Sequence, residues 1–207
     1  MARGFAIAAA AGVTALVAGT VLITSISVPA DRFQHCRTAT IMGGTASVGG
    51  PFTLVNQQGE TVTDADVITE PSLIYFGYTF CPDVCPLDVA RNVEAISILE
   101  EEQNKIITPI FISIDPERDT PEVVGDFAAN HHERMVGLTG SLEQVAAASK
   151  TYRTHFAKQD GDPQYYLVNH STLSYLVFPE DGFVQHFDRT LRPEQMADQL
   201  ACFIDAA

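Results

Sequence analysis

The sequence is poor in basic residues, with 12 lysines and arginines against 26 aspartates and glutamates and a formal net charge of −14. An acidic chain repels phosphate groups, so nucleic acids and anionic lipid headgroups are poor partners for it, whereas a basic protein surface is not. Internal repeats are absent, which excludes a repeat architecture. What remains is an ordinary globular composition behind an unusual N-terminus.

Charged residues are also missing from Gly4 to Ala30, a stretch rich in alanine, valine, leucine and isoleucine. About 20 apolar residues span a bilayer, whereas a cleavable signal peptide has an apolar region of only about 7–15 residues. We therefore predict a retained membrane anchor over residues 1–30, forming a single transmembrane helix. A signal peptide cleaved after Val28-Pro29-Ala30 is the alternative. In both cases the remainder is exported, and Arg3 before the run predicts a cytoplasmic N-terminus.

The rest of the chain divides at residue 50. Two glycine pairs, 43–44 and 49–50, stand among small residues, a composition typical of a flexible tether, so we assign residues 31–50 to one. Residues 51–207 are long enough for one globular domain, since a domain of about 150 residues buries roughly 70% of the surface of its unfolded chain.

Hydrophobic patterns in residues 51–207 predict an α/β domain. Residues 51–63 alternate apolar and polar side chains around Gln58-Gly59, which indicates a β-hairpin. The apolar run 72–78, the helical pattern 87–103 and the apolar run 106–114 predict a βαβ unit with parallel strands. Further patterns predict helices at 121–130 and 141–152, strands at 172–178 and 183–187, and a helix from Arg192-Pro193. The order is that of thioredoxin, so we predict a thioredoxin-like fold with an N-terminal β-hairpin extension.

Four cysteines stand at positions 36, 81, 85 and 202, in a domain that we expect to face an oxidising compartment. Cys36 directly follows the anchor and Cys202 lies near the C-terminus. We predict a structural disulfide between these two; a pair of inert buried thiols is the alternative.

The other two cysteines form a Cys-x-x-x-Cys motif between a predicted strand and a predicted helix. Pro86 predicts that the helix starts there, with Cys85 at its N-cap, where the helix dipole favours thiolates. Soft thiolates bind Cu(I), zinc or iron–sulfur clusters, and two sulfurs leave room for a third donor. A disulfide between Cys81 and Cys85 is the alternative. Asp83 within the loop is interpreted as a docking or tuning residue, or as a turn residue.

His170 is the predicted third donor. It precedes the predicted strand 172–178. In a thioredoxin fold the loop before this strand faces the cysteine loop and normally carries a cis-proline, but in this sequence a histidine stands near that place and no proline does. Two thiolates and one imidazole make a site that copper accepts as Cu(I) or Cu(II). A surface histidine without a ligand role is the alternative. Asn169 is a candidate for orienting the imidazole.

The other predictions are loop-stabilising ion pairs among Asp115, Glu117, Arg118 and Asp119, and structural roles for His131, His132, His155 and His186.

Four motifs make the chain resemble the Sco/SenC family: YFGYTFCPDVCP (75–86), SIDPERDTPE (113–122), VGLTGS (136–141) and NHSTLSYLVFPEDG (169–182). The resemblance covers roughly residues 51–203. It implies a thioredoxin-like domain on one N-terminal helix, with copper bound by Cys81, Cys85 and His170. The chain departs from the family pattern at two positions. Asn169 stands where the family commonly has Asp, and Phe80 stands where it often has His.

The resemblance implies a copper metallochaperone that helps to assemble the dinuclear copper centre of cytochrome c oxidase. Its partners would be the copper-bearing oxidase subunit and another copper chaperone as donor. We expect it in the bacterial inner membrane facing the periplasm, or in the mitochondrial inner membrane facing the intermembrane space. Chaperone activity requires no enzyme chemistry. The alternatives are a thiol–disulfide oxidoreductase that uses Cys81 and Cys85 on the oxidase subunit, and a copper or redox sensor.

Overall fold

The two longest apolar runs of the domain become neighbouring strands of one sheet. In the computed structural model, which describes residues 31–37, 48–162 and 164–207, strands β3 (Ser72–Gly77) and β4 (Thr108–Ser113) are buried along their whole length. They pair in parallel, with Ser72 opposite Thr108. A strand buried on both faces has apolar side chains throughout, so an uninterrupted apolar run predicts it. The predicted βαβ unit is confirmed.

Seven strands form the main sheet in the order β2-β1-β5-β4-β3-β8-β9, and β6 and β7 form a separate pair. The remaining strands are β1 (Thr53–Asn56), β2 (Thr61–Thr63), β5 (Val136–Thr139), β6 (Phe156–Lys158), β7 (Val168–His170), β8 (Ser174–Phe178) and β9 (Gly182–Phe187). The predicted N-terminal hairpin is β1 and β2, which pair antiparallel. Because β1 also pairs with β5, this hairpin extends the main sheet.

Five α-helices are described: α1 (Asp64–Val67), α2 (Val84–Gln103), α3 (Pro121–His131), α4 (Leu142–Thr151) and α5 (Pro193–Asp205). Their starts follow ordinary capping chemistry. The Ser141 hydroxyl accepts the Gln144 N–H at 3.2 Å while the Gln144 side chain accepts the Ser141 N–H at 2.8 Å, which is the predicted capping box. Helices α2 and α5 pack against each other, and α3 packs on β5.

Four short elements, α1, β5, β6 and β7, have no counterpart among the predicted helices and strands. Each has only three or four residues, fewer than are needed for an alternation or a helical period to stand out. β5 also contains Gly137, which weakens a strand pattern. The three strands take their conformation from the strands with which they pair, whereas α1 starts at a capping box in which the Thr63 N–H donates to Asp66 Oδ2 at 2.8 Å.

The structure separates residues 1–34 from residues 35–207. In the first unit, residues 31–34 are described, and the Gln34 N–H donates to the Asp31 carbonyl at 3.1 Å. The predicted anchor over residues 1–30 lies outside the described residues, as do residues 38–47 of the predicted tether. Within the described ranges, no helix combines the length and apolar character needed to cross a bilayer.

Candidate metal centre

The connection between β3 and α2 carries both cysteines of the Cys-x-x-x-Cys motif. Cys81 is 8% exposed and Cys85 is fully buried. The Cys81 N–H donates to the Tyr78 carbonyl at 3.2 Å, and the Cys85 N–H donates to Cys81 Sγ at 3.3 Å. Both cysteines are free thiols, so the pair stands in the reduced form that a soft metal ion requires.

Helix α2 begins two residues before Pro86, so the predicted helix start is wrong. Asp83 is the N-cap and Val84 the first helical residue. The first four N–H groups of a helix have no partner within it, so a proline anywhere in the first turn costs no hydrogen bond. A following proline disfavours helical geometry at Cys85. The bond from its N–H to Cys81 Sγ offsets that preference.

His170 comes from the last position of β7, 85 residues after Cys85. Its Nδ1 lies 2.8 Å from the Ser171 carbonyl oxygen, and since a carbonyl only accepts, Nδ1 carries the proton. The lone pair is therefore on Nε2, which lies 3.3 Å from Cys85 Sγ. One ligand atom each from Cys81, Cys85 and His170 lie within 4.8 Å of one another.

Two tyrosines for which the sequence patterns predict no role enclose the imidazole. The rings of Tyr75 and Tyr78 meet the His170 ring edge-on, with centroids 6.3 and 5.9 Å away. The Tyr75 hydroxyl donates to the buried carboxylate of Asp88 at 3.0 Å, and the Tyr78 hydroxyl accepts the Val168 N–H at 3.3 Å. Their signal in the sequence is a pair of tyrosines in the mostly apolar run 72–78, because a buried tyrosine needs a partner for its hydroxyl.

The two thiols have opposite pKa shifts. Burial raises the pKa of Cys81, but hydrogen bonds from the N–H groups of Asp83 and Cys85 outweigh it, and the net pKa is lowered. Burial, together with the neighbouring Cys81, raises the pKa of Cys85 well above its usual range. Burial lowers the pKa of His170, so the imidazole is neutral at neutral pH and its Nε2 can bind a metal ion.

Gly77, at the end of β3, makes room for the buried thiol. A Cβ at this position would lie 2.8 Å from Tyr75 Cε1, 3.0 Å from Phe111 Cε2 and 3.1 Å from Cys85 Sγ. Glycine inside a strand often marks a place where another group approaches closely. Here the approaching groups are two aromatic rings and the Cys85 sulfur.

The two candidate supporting residues lie outside the ligand cluster. Asp83 is exposed, and its side chain makes no capping hydrogen bond. Asn169 is also exposed, and its Oδ1 accepts from Gln159 Nε2 at 2.6 Å. The hydrogen bond that orients the imidazole is made by the Ser171 carbonyl.

Cys36 and Cys202 are joined in a disulfide across 166 residues of sequence, with Cα atoms 5.7 Å apart. His35 lies near their sulfurs. Among the described residues, at least three ligand atoms from histidine, cysteine, aspartate or glutamate converge in two places. One is this group, and the other is Cys81, Cys85 and His170. The other predicted structural histidines stand elsewhere; for instance, His131 Nδ1 lies 2.8 Å from the Phe127 carbonyl.

Of the ion pairs predicted among Asp115, Glu117, Arg118 and Asp119, the loop after β4 contains the one between Arg118 and Asp115, whereas Glu117 pairs with Lys158 of β6. Arg118 Nε contacts Asp115 Oδ2 at 2.5 Å, and Lys158 Nζ contacts Glu117 Oε2 at 2.5 Å. Asp119 accepts from the Thr79 N–H at 3.0 Å, which ties this loop to the residues just before Cys81.

Known proteins that resemble this chain in sequence and in structure include SCO1 and SenC proteins. A family model described as SCO1/SenC matches residues 41–205. Protein SenC of Rhodobacter capsulatus is 47% identical over 202 residues, which cover 97% of this chain and 90% of that protein. The mitochondrial SCO1 homolog 1 of Arabidopsis thaliana is 36% identical over 155 residues, and the matched part covers 75% of this chain but only 46% of that protein. A crystal structure of Arabidopsis thaliana ScoI with copper bound superposes with a TM-score of 0.73 at 33% identity, covering 76% of this chain and 99% of that one.

Proposed function

This chain belongs to the SCO1/SenC family, and we propose that it binds one copper ion through Cys81, Cys85 and His170. The proposal rests on the convergence of two sulfurs and one imidazole nitrogen within 4.8 Å. Sulfur and imidazole donors suit copper in both oxidation states. The Arabidopsis relative with copper bound supports the choice of metal.

The protonation states fit this ligand set. In the reduced protein the Cys85 thiol faces the Nε2 lone pair at 3.3 Å, and a bound copper ion takes the place of the thiol proton. The Ser171 carbonyl holds Nδ1–H and so keeps Nε2 directed at the sulfurs. Cys81, whose pKa is lowered, supplies the thiolate that forms first.

We infer that the protein is a copper metallochaperone for the dinuclear copper centre of cytochrome c oxidase. Copper is cargo in this role: it enters from a donor chaperone and leaves for the copper-bearing oxidase subunit, with no covalent chemistry by the protein. The uncharged apolar stretch from Gly4 to Ala30 supports a single-pass anchor, and Arg3 before it supports a domain on the periplasmic side of a bacterial inner membrane.

A thiol–disulfide oxidoreductase is the second candidate, and the opposite pKa shifts of the two thiols favour it. A nucleophilic Cys81 would attack a disulfide of the oxidase subunit, and Cys85 would then displace the reduced subunit to leave a Cys81–Cys85 disulfide. This reaction needs both thiols and does not need the imidazole.

Copper titration of the reduced, full-length protein in detergent tests the proposal. We expect one copper per chain, and a loss of affinity in Cys81→Ser, Cys85→Ser and His170→Ala that exceeds the roughly 10- to 100-fold cost of outer-shell changes. His155→Ala, which alters an exposed histidine outside the cluster, is the matched control. Unchanged affinity in His170→Ala would refute the three-ligand site. Full oxidase assembly by His170→Ala, with none by either cysteine variant, would establish the oxidoreductase instead.

A further inference from the structure

Arg118 lies where two parts of the candidate site meet. One part is the cysteine loop, residues 78–83. The other is the histidine hairpin, which comprises β6, β7 and residues 164–167 before β7. We propose that Arg118 is a positioning residue: its guanidinium clamps the histidine hairpin to the cysteine loop and so keeps His170 within reach of the two sulfurs. The effect on copper rests on the function proposed above, whereas the clamp is a property of the metal-free protein.

The guanidinium contacts aromatic rings from both parts. Arg118 Cζ lies 3.7 Å from the ring centroid of Tyr166, 4.9 Å from that of Phe80 and 5.7 Å from that of Tyr78. Tyr166 precedes β7, and the other two rings belong to the cysteine loop. A cation over an aromatic face is attracted to it, most strongly where water is excluded. A single side chain therefore bridges the two segments.

Hydrogen bonding alone does not explain where this guanidinium lies. Its Nε pairs with Asp115 Oδ2 at 2.5 Å, but Nη2 is buried without a hydrogen-bond partner among the described residues. The side chain is only 13% exposed. Asp115 also accepts from the Tyr166 hydroxyl at 2.5 Å, so one carboxylate holds both the cation and the ring that it covers. Arginine suits this place because its planar guanidinium is weakly hydrated and stacks on rings.

The clamp reaches His170 through Tyr78. The centroid of the Tyr78 ring lies 5.7 Å from Arg118 Cζ and 5.9 Å from the centroid of the His170 imidazole, so this ring contacts both groups. Its hydroxyl accepts the Val168 N–H at 3.3 Å, two residues before His170. Since β6 and β7 are three-residue strands outside the main sheet, the position of His170 depends on such side-chain contacts.

Lys158 offers a matched control on the same ring. Its Nζ lies 3.8 Å from the Tyr166 centroid and pairs with Glu117, but its side chain is 47% exposed. Attraction between a cation and a ring is weaker in water. Lys158→Gln therefore removes a cation from Tyr166 without opening a buried contact between the two segments.

Amide hydrogen exchange of the copper-free, full-length protein tests the clamp itself. In Arg118→Lys, which keeps the charge but loses the planar face, we expect faster exchange in β6 and β7 and unchanged exchange in β3 and β4. Lys158→Gln should match the wild type. Faster exchange throughout the sheet would mean general destabilisation, and unchanged exchange in β6 and β7 would mean no clamp; either result overturns the proposal. Tyr166→Leu removes the same contact from the other side and replaces Arg118→Lys if that variant does not fold.

A double-mutant cycle tests the action on His170. We expect Arg118→Lys to weaken copper binding by about 10- to 30-fold, the equivalent of one buried cation–ring contact, with loss of the imidazole signature in the copper spectrum. In a His170→Ala background the same change should have almost no further effect. An equal effect in both backgrounds would refute the proposal. If His170→Ala alone leaves copper binding unchanged, the three-ligand site fails instead, and the exchange experiment still decides on the clamp.

Discussion

Cys85 owes its chemistry to its immediate neighbours rather than to the motif alone. Its sulfur is fully buried beside Gly77 and faces the neutral Nε2 of His170. Cys81, four residues earlier, has a lowered pKa because two backbone N–H groups outweigh the effect of burial. Two cysteines of one motif thus differ in proton affinity, and a side chain added near either thiol should disturb the site.

Gly77→Ala tests how tightly the thiol is packed. The new Cβ would lie within 3.1 Å of Tyr75, Phe111 and Cys85 atoms, so we expect a loss of about 1–3 kcal/mol in the free energy of unfolding, as for other overpacked cores. Copper affinity should fall as well, because Cys85 must shift. Urea unfolding and copper titration measure the two effects. Gly161→Ala, where the Cβ meets nothing within 4 Å, is the control, and equal behaviour of both variants would contradict this packing.

The lowered pKa of His170 predicts how the stability of the copper-free protein depends on pH. As the pH falls below the usual histidine pKa of about 6.5, the unfolded chain takes up the proton before the folded one, so stability is lost. The stability that the folded protein keeps because its buried His170 is neutral is intact above the usual pKa and is lost as the pH falls through the lower pKa of the folded state. His170→Gln has no titrating group at this position and does not show this loss. Urea unfolding at pH 7.5 and pH 5 should therefore show a smaller loss in the variant than in the wild type; an equal or larger loss would contradict the shift.

Among the helices and strands, α2 connects the cysteine loop to the main sheet through a buried polar cluster. Arg91 Nη2 donates to Asn92 Oδ1 at 2.7 Å and to Ser174 Oγ of β8 at 3.1 Å, while Nη1 donates to the Asp188 carbonyl at 2.9 Å. Buried polar groups are tolerated only when they are hydrogen-bonded. This cluster therefore fixes the position of α2 relative to β8 more specifically than apolar packing would.

Arg91→Leu should be costly because it removes the Arg91 donor from the Asp188 carbonyl and leaves Asn92 and Ser174 with only their bond to each other. We expect a loss of about 2–4 kcal/mol in the free energy of unfolding, since an unsatisfied buried carbonyl costs roughly 1–3 kcal/mol and lost bonds from a charged donor add to that cost. Lys158→Gln breaks an ion pair with Glu117 whose lysine side chain is 47% exposed, and should cost about 1 kcal/mol or less. Similar losses in both variants, measured by urea unfolding, would show that the cluster around Arg91 has no special weight.

At the scale of the whole molecule, the Cys36–Cys202 disulfide links the segment after the apolar N-terminus to the C-terminal helix α5. It closes a loop of 166 residues, and closing so long a loop removes much conformational entropy from the unfolded chain. Neither sulfur belongs to the proposed copper ligands. The bond should therefore affect folding without affecting the metal site.

The Cys36→Ser/Cys202→Ser double variant separates these two effects. We expect it to lose about 2–5 kcal/mol in the free energy of unfolding relative to the oxidised wild type. Copper affinity of the folded variant should be unchanged in the same titration that distinguishes His170→Ala. A drop in affinity as large as that of His170→Ala would contradict the division between a structural cysteine pair and a metal-binding one.

Much of this architecture could be predicted from local patterns. Continuous apolar runs indicated β3 and β4, and the capping box at Ser141 indicated the start of α4. These signals are readable because side chains that stabilise a helix or strand lie a few residues apart in the chain. Elements of three or four residues, such as β6 and β7, do not carry such a signal.

Local sequence patterns were enough to predict the two central strands, the thioredoxin-like order of elements and the donor residues Cys81, Cys85 and His170. Three features of the site depend on how distant segments pack: Nε2 faces Cys85 Sγ, Ser171 rather than Asn169 orients the imidazole, and Arg118 lies between Tyr166 and Phe80. The physical reason is separation along the chain: Arg118 and Tyr166 are brought together by the packing of a loop on a hairpin, and no spacing within either segment encodes that contact.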